Sequence, residues 1–430
     1  MNSPDTQSHL SDSINLKGLD RKIWWHIIPF VVLLYIISIL DRVNIGYAAL
    51  TMNADLGIDP YLFGIVSGVF FLSYVLFEIP SNQILARTGA RIWLCRIMVS
   101  WGIIAILMAF VRTPLELGAL RFLLGAAEAG FAPGLILYLS FWFRKEQIAK
   151  ALAVFFLAIP LAMVIAAPLS TFILSHVWSG ITGWRWLFFI EGLPAIILGC
   201  AILLVLPDKP EKASWLTGKE REWLTGRIEG DRVSKETPKK IPFSTLAKVP
   251  GLALLCISAF LVGLFLTGLL FWIPQIINRS GLSHSLSDTG YLVMVPYIFS
   301  VMAMYAWSQR SDRLGERRLH IAIPFIAAAL FLMLLAIPSG PILMFIFISA
   351  AIIACYCAYA PFFALTVESF TPGLRASGIA LVNTVASIGS FFGPVLFGLA
   401  GGNMGGILTT LLFPALGVCL ICCAVLIRKK

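Results

Sequence analysis

The sequence predicts an all-α membrane protein with twelve transmembrane helices in two pseudo-symmetric six-helix bundles. Three observations carry that expectation. Hydrophobic residues make up 59% of the 430-residue chain and charged residues 13%, with a mean hydropathy of +0.90, more apolar surface than a soluble protein of this length can hide. Charged or Pro/Gly-rich breaks divide the chain into twelve apolar runs of roughly bilayer-crossing length. Landmarks in the first half recur in the second at one fixed offset.

The runs fall at about 23–50, 61–85, 91–111, 115–142, 151–174, 186–206, 250–277, 288–307, 320–338, 341–366, 376–399 and 406–427. Residues 1–22 form a polar tail with no cleavage signal beside the first run, so that run is read as a retained helix. The first six runs form one bundle, residues 23–206, and the last six a second, residues 250–427, before a short tail at 428–430. Residues 207–249 are rich in Lys, Arg, Glu and Asp and read as a linker carrying one or two surface helices between Pro210 and Arg232. Sorting the 32 Lys and Arg residues fixes the orientation. With the N-terminus inside, only Arg112, Arg185 and Arg279 fall on outer loops and only Arg42 and Arg121 inside the membrane. Positive residues collect on the cytoplasmic side, so both termini are expected there, in a monomer of the cell's inner (plasma) membrane.

The repeat is read from its loops and prolines. Arg87-Thr-Gly89-Ala-Arg91 follows the second run, and Asp312-Arg313-Leu-Gly315-Glu-Arg317-Arg318 follows the eighth; Gly89 and Gly315 are 226 residues apart, as are Pro168 and Pro394. A duplicated six-helix unit is the organisation of rocking-bundle transport. The loop residues Arg87, Gly89, Arg91, Asp312, Arg313, Gly315 and Arg317 are expected to brace the cytoplasmic helix ends and to exchange partners between states. Neither loop has a phosphate-cradle pattern.

Two charged clusters interrupt the apolar runs. Asp41-Arg42-Val-Asn44 lies in the first, and Arg121 and Glu128 in the fourth. A charge at membrane depth costs about 2.5 kcal/mol or more and persists where it pairs or faces a wet cavity. Arg121 and Glu128 are two helical turns apart and share a face, while adjacent Asp41 and Arg42 point about 100° apart and each need a partner on another helix. Two readings are open: fixed intramembrane ion pairs, or clusters that face each other across a solute path. Arg42 and Arg121 suit a carboxylate, being permanently charged, planar and bidentate. Asp41 and Glu128 suit proton carriage, since burial and a neighbouring Arg pull a carboxyl's proton affinity in opposite directions. Arg185 and Glu191 read as a structural pair at the mouth of the sixth run, and Glu78 as a brace for the 2–3 loop.

Six stretches make the sequence resemble the major facilitator superfamily, and within it the anion:cation symporters that include bacterial tartrate, hydroxyphenylacetate, phthalate, glucarate and galactonate permeases. They are Leu40-Asp-Arg-Val-Asn-Ile-Gly46, Phe77-Glu-Ile-Pro-Ser-Asn82, Arg121-Phe-Leu-Leu-Gly-Ala-Ala-Glu-Ala-Gly130, Trp184-Arg-Trp-Leu-Phe-Phe-Ile-Glu-Gly192, Pro207-Asp-Lys-Pro-Glu211 and Ser311-Asp-Arg313. The resemblance implies the major facilitator fold and proton-driven import of a small organic acid anion by alternating access. Matched residue by residue, it implies proton coupling at Asp41 and Glu128 and substrate binding at Arg42, Arg121, Tyr74 and Asn383, with Asn44 beside them. Two positions depart from it: Ala86 replaces the acid of the first basic loop, and Ile159 replaces a glutamine of the sugar-acid permeases.

Other classes find little support. The net charge of +10 is spread over short loops rather than gathered on a nucleic-acid-binding domain. All eight cysteines sit in apolar runs, and Cys419-x-x-Cys422 has no partner pair, so no metal or cofactor is expected. None of the five histidines lies at mid-membrane. A hydrolase-type cluster is lacking, which argues against an enzyme, and no appended soluble domain supports a sensor. An outward-running exporter of an organic anion or drug is the main rival.

Overall fold

The computed structural model describes residues 15–144, 147–233, 243–335, 337, 340–371 and 374–401. The predicted twelfth run, 406–427, lies outside these residues. Among them there is no strand, only an isolated bridge between Trp178 and Ile181. The first half contains α1 (Leu16–Leu56), α2 (Pro60–Thr88), α3 (Ala90–Met108), α4 (Pro114–Glu128), α5 (Phe131–Leu139), α6 (Ile148–Leu174) and α7 (Gly183–Val205). A 3-10 turn at Pro210–Lys212, α8 (Gly218–Val233) and α9 (Phe243–Leu246) follow. The second half contains α10 (Leu252–Arg279), α11 (Leu286–Leu314), α12 (Arg318–Leu334), α13 (Pro341–Glu368) and α14 (Arg375–Leu399). Among the described residues, ten spans are long and apolar enough to cross a membrane, α4 and α5 together forming one, and the 17-residue α12 is a shorter apolar helix.

The ends of these helices follow local chemistry. Asn15 accepts the Gly18 N–H at 3.0 Å, which starts α1 at Leu16, ahead of the apolar run. Left-handed Gly57 closes it. Asp59 then accepts the Leu62 N–H at 2.8 Å with Pro60 at the first helical position, so α2 starts at once. The fourth span departs from expectation. Sequence predicts one continuous helix, but the chain breaks after Glu128, where Ala129 is extended and Gly130 is left-handed at φ 86°. Discontinuous helices are tolerated at membrane depth where protein surrounds the broken turn.

Packing repeats with the sequence. In the first half α2 lies on α4 and α1 on α6; in the second, α11 lies on α13 and α10 on α14. The halves meet through α2 with α14, α6 with α11, and α1 with α10. Small residues allow this approach: a Cβ on Gly64 would come within 2.5 Å of the Pro394 carbonyl oxygen, and one on Gly46 within 3.1 Å of the Phe271 carbonyl. Trp272 fills the same seam, edge-on to Phe63 at 5.1 Å, stacked on Phe397 at 4.9 Å and donating to the Pro394 carbonyl at 3.3 Å. All of these contacts lie toward the end that carries the α1–α2 turn. Near the opposite end the rings of Phe156 on α6 and Phe363 on α13 meet across the halves, 6.2 Å apart. Around the outside, α3, α7 and α12 expose Ile103, Leu107, Ile197, Leu204, Ile323 and Leu330, the apolar belt expected against lipid.

Candidate functional site

Charge is buried unevenly. Among the described residues, Asp41, Arg121, Glu128 and Glu191 are the buried acids and arginines of the membrane spans, all in the first half; the buried polar residues of the second-half helices are Ser258, Thr267, Gln275, Thr289, Ser300, Ser311, His320, Thr366 and Ser390.

Two helices, α1 and α4, bring the four predicted charges together. Arg42 of α1 pairs with Glu128 Oε1 at the end of α4, and Ser38 Oγ, one turn before Arg42, donates to the same oxygen at 2.9 Å. Asp41 turns away from Arg42, as adjacent helical residues must, and its Oδ2 accepts from Trp101 Nε1 of α3 at 2.6 Å. Its Oδ1 is buried without a partner. Arg121 is fully buried, and none of its three guanidinium nitrogens has a hydrogen-bond partner among the described residues. Phe70 of α2 lies between the two guanidiniums, 5.2 Å from that of Arg42 and 5.0 Å from that of Arg121. Tyr74, one turn on, takes Arg42 over its ring at 5.5 Å. These cation–π contacts each contribute about 0.5–2 kcal/mol. They also hold the like charges apart.

The geometry depends on two glycines. A Cβ on Gly125 would strike the Phe70 carbonyl and the Ser73 hydroxyl; without it α2 and α4 close up and Phe70 reaches Arg121. The left-handed turn at Gly130 ends α4 at Glu128, so the carboxylate sits at the break, where Ser81 Oγ would be 2.6 Å from any Cβ.

Other predicted positions stand apart from this group. Asn44 is fully buried one turn beyond Asp41; it lies close to Glu191, with neither of its amide atoms in hydrogen-bond geometry. Asn383 is half-buried on α14 and outside the hydrogen-bonded cluster. At the basic loops, Gly89 at φ 92° and Gly315 at φ 60° both adopt positive φ, a conformation that favours glycine. Arg317 pairs with Asp312, donates to Ser311 Oγ at 3.1 Å and reaches Glu368 at 3.2 Å, tying the ends of α11, α12 and α13 together. Arg313 and Arg87 are exposed. The first loop, which lacks the acid at position 86, borrows its neighbours from the linker: Tyr138 donates to the Pro207 carbonyl at 2.9 Å, and Asp208 lies 3.7 Å from where a Gly89 Cβ would be. Arg91 has its Nε buried there without a partner.

One expectation needs correction. Arg185 does not pair with Glu191; it donates to the Ala109 carbonyl at 2.7 Å and lies over the Trp184 ring, while Glu191 points inward and accepts from Ser170 Oγ at 3.0 Å. A six-residue spacing puts the two on different faces, a signal the sequence did contain. Glu78, read as a loop brace, lies within electrostatic reach of Tyr74 and Arg42.

A duplicated bundle of apolar helices enclosing paired charges is the build of a membrane transporter. The profile of the Major Facilitator Superfamily matches residues 31–394, and the chain belongs to that superfamily. A relative from Agrobacterium vitis, named a candidate tartrate transporter, is 42% identical over 397 residues, covering 92% of this chain and 88% of the relative. A quinolone resistance transporter of Acinetobacter baumannii is 33% identical over 400 residues, covering 92% of each. Among solved structures, a bacterial homologue of the lysosomal transporter Spinster superposes with a TM-score of 0.75 at 16% identity, covering 95% of this chain and 98% of that one. A D-xylose–proton symporter gives 0.75 at 15%, covering 94% and 97%. The chain is therefore a multi-pass membrane transporter and not an enzyme.

Proposed function

We propose that this protein carries a small organic acid anion, a carboxylate, across the inner membrane together with protons, by alternating access. The reading rests on Arg121: a fully buried guanidinium without a hydrogen-bond partner, beside an Arg42–Glu128 pair that is already neutral. Such a charge costs several kcal/mol unless compensated. Two groups can compensate it in turn. One is the pair of nearby acids, Glu128 first and then Asp41, both within its field; the other is the carboxylate of a bound guest. With Glu128 held by Arg42, protonating Asp41 removes a further internal counter-charge and leaves Arg121 to the anion, so proton and anion enter together. Glu128 does the same for Arg42. Tyr74, Asn44 and Asn383 complete the binding surface.

The positive-residue bias sets the α1–α2 turn outside and both termini in the cytoplasm. In that orientation the seam around Trp272 and Gly64 is a closed outer gate, and the Phe156–Phe363 contact is a thin inner one. The two basic loops, through Arg87, Gly89, Arg91, Asp312, Arg313, Gly315 and Arg317, steady the inner helix ends during rocking. The protein works as a monomer. The relatives named for tartrate put tartrate first among substrates to try, ahead of sugar acids, hydroxyphenylacetate and phthalate.

A thermal-shift screen of purified protein against these acids tests binding: a true substrate at a hundredfold its Kd adds about 2.7 kcal/mol. Uptake by Glu128→Gln tests coupling. We expect exchange of labelled anion to persist and accumulation driven by a pH gradient to disappear; undiminished accumulation would rule out the role given to Glu128. The relative named for quinolone resistance favours one second reading, an exporter, in which the same site loads from the cytoplasm. Drug efflux from inverted vesicles, without uptake of any acid, would select it.

A further inference from the structure

Glu191 is the buried acid that the four-residue cluster leaves over. It is 5% exposed on α7. Its Oε1 accepts from Ser170 on α6, and its Oε2 is buried without a partner. The nearest cation in sequence, Arg185, is committed elsewhere. On the α3 side stand Gly102, Ala105 and Ile106, packed against Gly192 with no ionisable group. From α1 it meets Asp41, Asn44 and Tyr47, one helical turn apart from each other and each within electrostatic reach of Glu191. Both Asn44 amide atoms and Asp41 Oδ1 are buried and have no hydrogen-bond partner among the described residues. Three neighbouring side chains thus hold unmet hydrogen-bonding atoms in one place.

Their heights form a series. Trp184 Nε1 donates to Asp55 Oδ2 at 2.7 Å, which levels the outer ends of α7 and α1. Counting inward from that contact, Glu191 is seven residues along, Asn44 eleven and Asp41 fourteen, or about 10, 16 and 21 Å at 1.5 Å per residue. The groups descend from the outer end in steps of about one turn.

We propose that Glu191 is a third proton-carrying carboxyl, a positioning residue that receives a proton from the outer end and passes it to Asp41, with Asn44 holding the two acids in register. The proposal rests on the reading of Asp41 as a proton acceptor. In the step, a proton from outer water forms an O–H bond on the Glu191 carboxylate. That bond breaks as a new one forms on the Asp41 carboxylate, and Glu191 is left ionised to take the next proton. An ionised carboxylate without a cation is too costly to remain buried, so Glu191 holds its proton whenever the outer seam is shut, as it is here. The transfer belongs to the state in which that seam is open.

The test uses the full chain in proteoliposomes with tartrate, comparing two readouts: counterflow of labelled tartrate, which needs no net proton movement, and tartrate-driven acidification of the lumen followed with a pH dye. For Glu191→Gln we expect counterflow within twofold of wild type and acidification reduced at least fivefold, with Glu191→Asp recovering part of it. Unchanged acidification would overturn the proposal. So would loss of counterflow in a variant that melts like wild type, which assigns Glu191 to substrate or structure. So would acidification by wild type that sodium replaces, which assigns Asp41, Asn44 and Glu191 to a metal cation. If Glu191→Gln does not fold, Ser170→Ala carries the test: counterflow should persist while the pH midpoint of acidification moves by at least half a unit, and an unmoved midpoint overturns the proposal. Wild type that exchanges tartrate but never acidifies the lumen sinks the underlying proton reading instead.

Discussion

Arg121 and Arg42 are both arginines, but they are held differently. Arg42 is anchored by Glu128 and by the faces of Phe70 and Tyr74, whereas Arg121 lies against Phe70 and has no hydrogen-bond partner among the described residues. Replacing Arg121 with Lys keeps the charge and removes the planar fork. Weakening of anion binding by at least tenfold, about 1.4 kcal/mol, is expected, with little change in melting temperature; isothermal titration of both proteins checks this. Much of the cluster was legible in sequence, because charge inside an apolar run is conspicuous and a two-turn spacing fixes a shared face. Two side chains were not. Phe70, the spacer between the guanidiniums, looks like any other membrane phenylalanine until α2 and α4 are packed. The inward turn of Glu191 was obscured because Arg185, close by in sequence, offered it a partner.

At the level of elements, glycines control how closely helices approach. Gly64 on α2 has the backbone of Pro394 at 2.5 Å and of Val395 at 2.9 Å from the position a Cβ would take. Gly64→Val should wedge α2 from α14 and favour the state open on the α1–α2 side. Cysteines placed in the seam would then become reactive to an impermeant thiol reagent added from outside, and uptake should fall severalfold. The linker makes a second prediction. Lys22 at the start of α1 bonds Glu220 of α8 at 2.8 Å. Burial works to raise the Glu220 carboxyl, but the Lys22 bond and those from Thr217 outweigh it and hold it below its ordinary value of 4.5. A carboxyl lowered by folding stabilises above its ordinary value and loses that contribution as pH falls through the folded one. Amide exchange in α8 should therefore be unaffected by pH between neutrality and about 5 once intrinsic rates are removed, and quicken below that range. Lys22→Met should show quicker exchange already at neutral pH, by an amount equal to about 0.5 kcal/mol for a half-exposed pair. The sequence placed surface helices in this linker, and α8 is one. It did not foretell the break at Gly130, because a glycine beside small residues also suits an unbroken helix.

For the whole molecule, twofold repetition was the strongest signal, since one offset of 226 linked loops and prolines in both halves. The packing follows the same repeat, as α2 on α4 matches α11 on α13. Rocking requires that the two ends not be closed in the same way, and here a glycine-lined seam at one end contrasts with the Phe156–Phe363 ring contact near the other. Joining Phe156→Cys to Phe363→Cys with a short bifunctional reagent should therefore arrest transport nearly completely, and removing the linkage should restore it. A cross-linked protein that still takes up its anion would show that the inner ends need not part.

The unequal sharing of buried charge between the halves has a consequence for descent. Among the described residues, the buried acids and arginines of the spans belong to one bundle, and the facing bundle supplies uncharged walls at that depth. A lineage could therefore acquire a new cargo by altering only those walls, inheriting its electrical machinery intact.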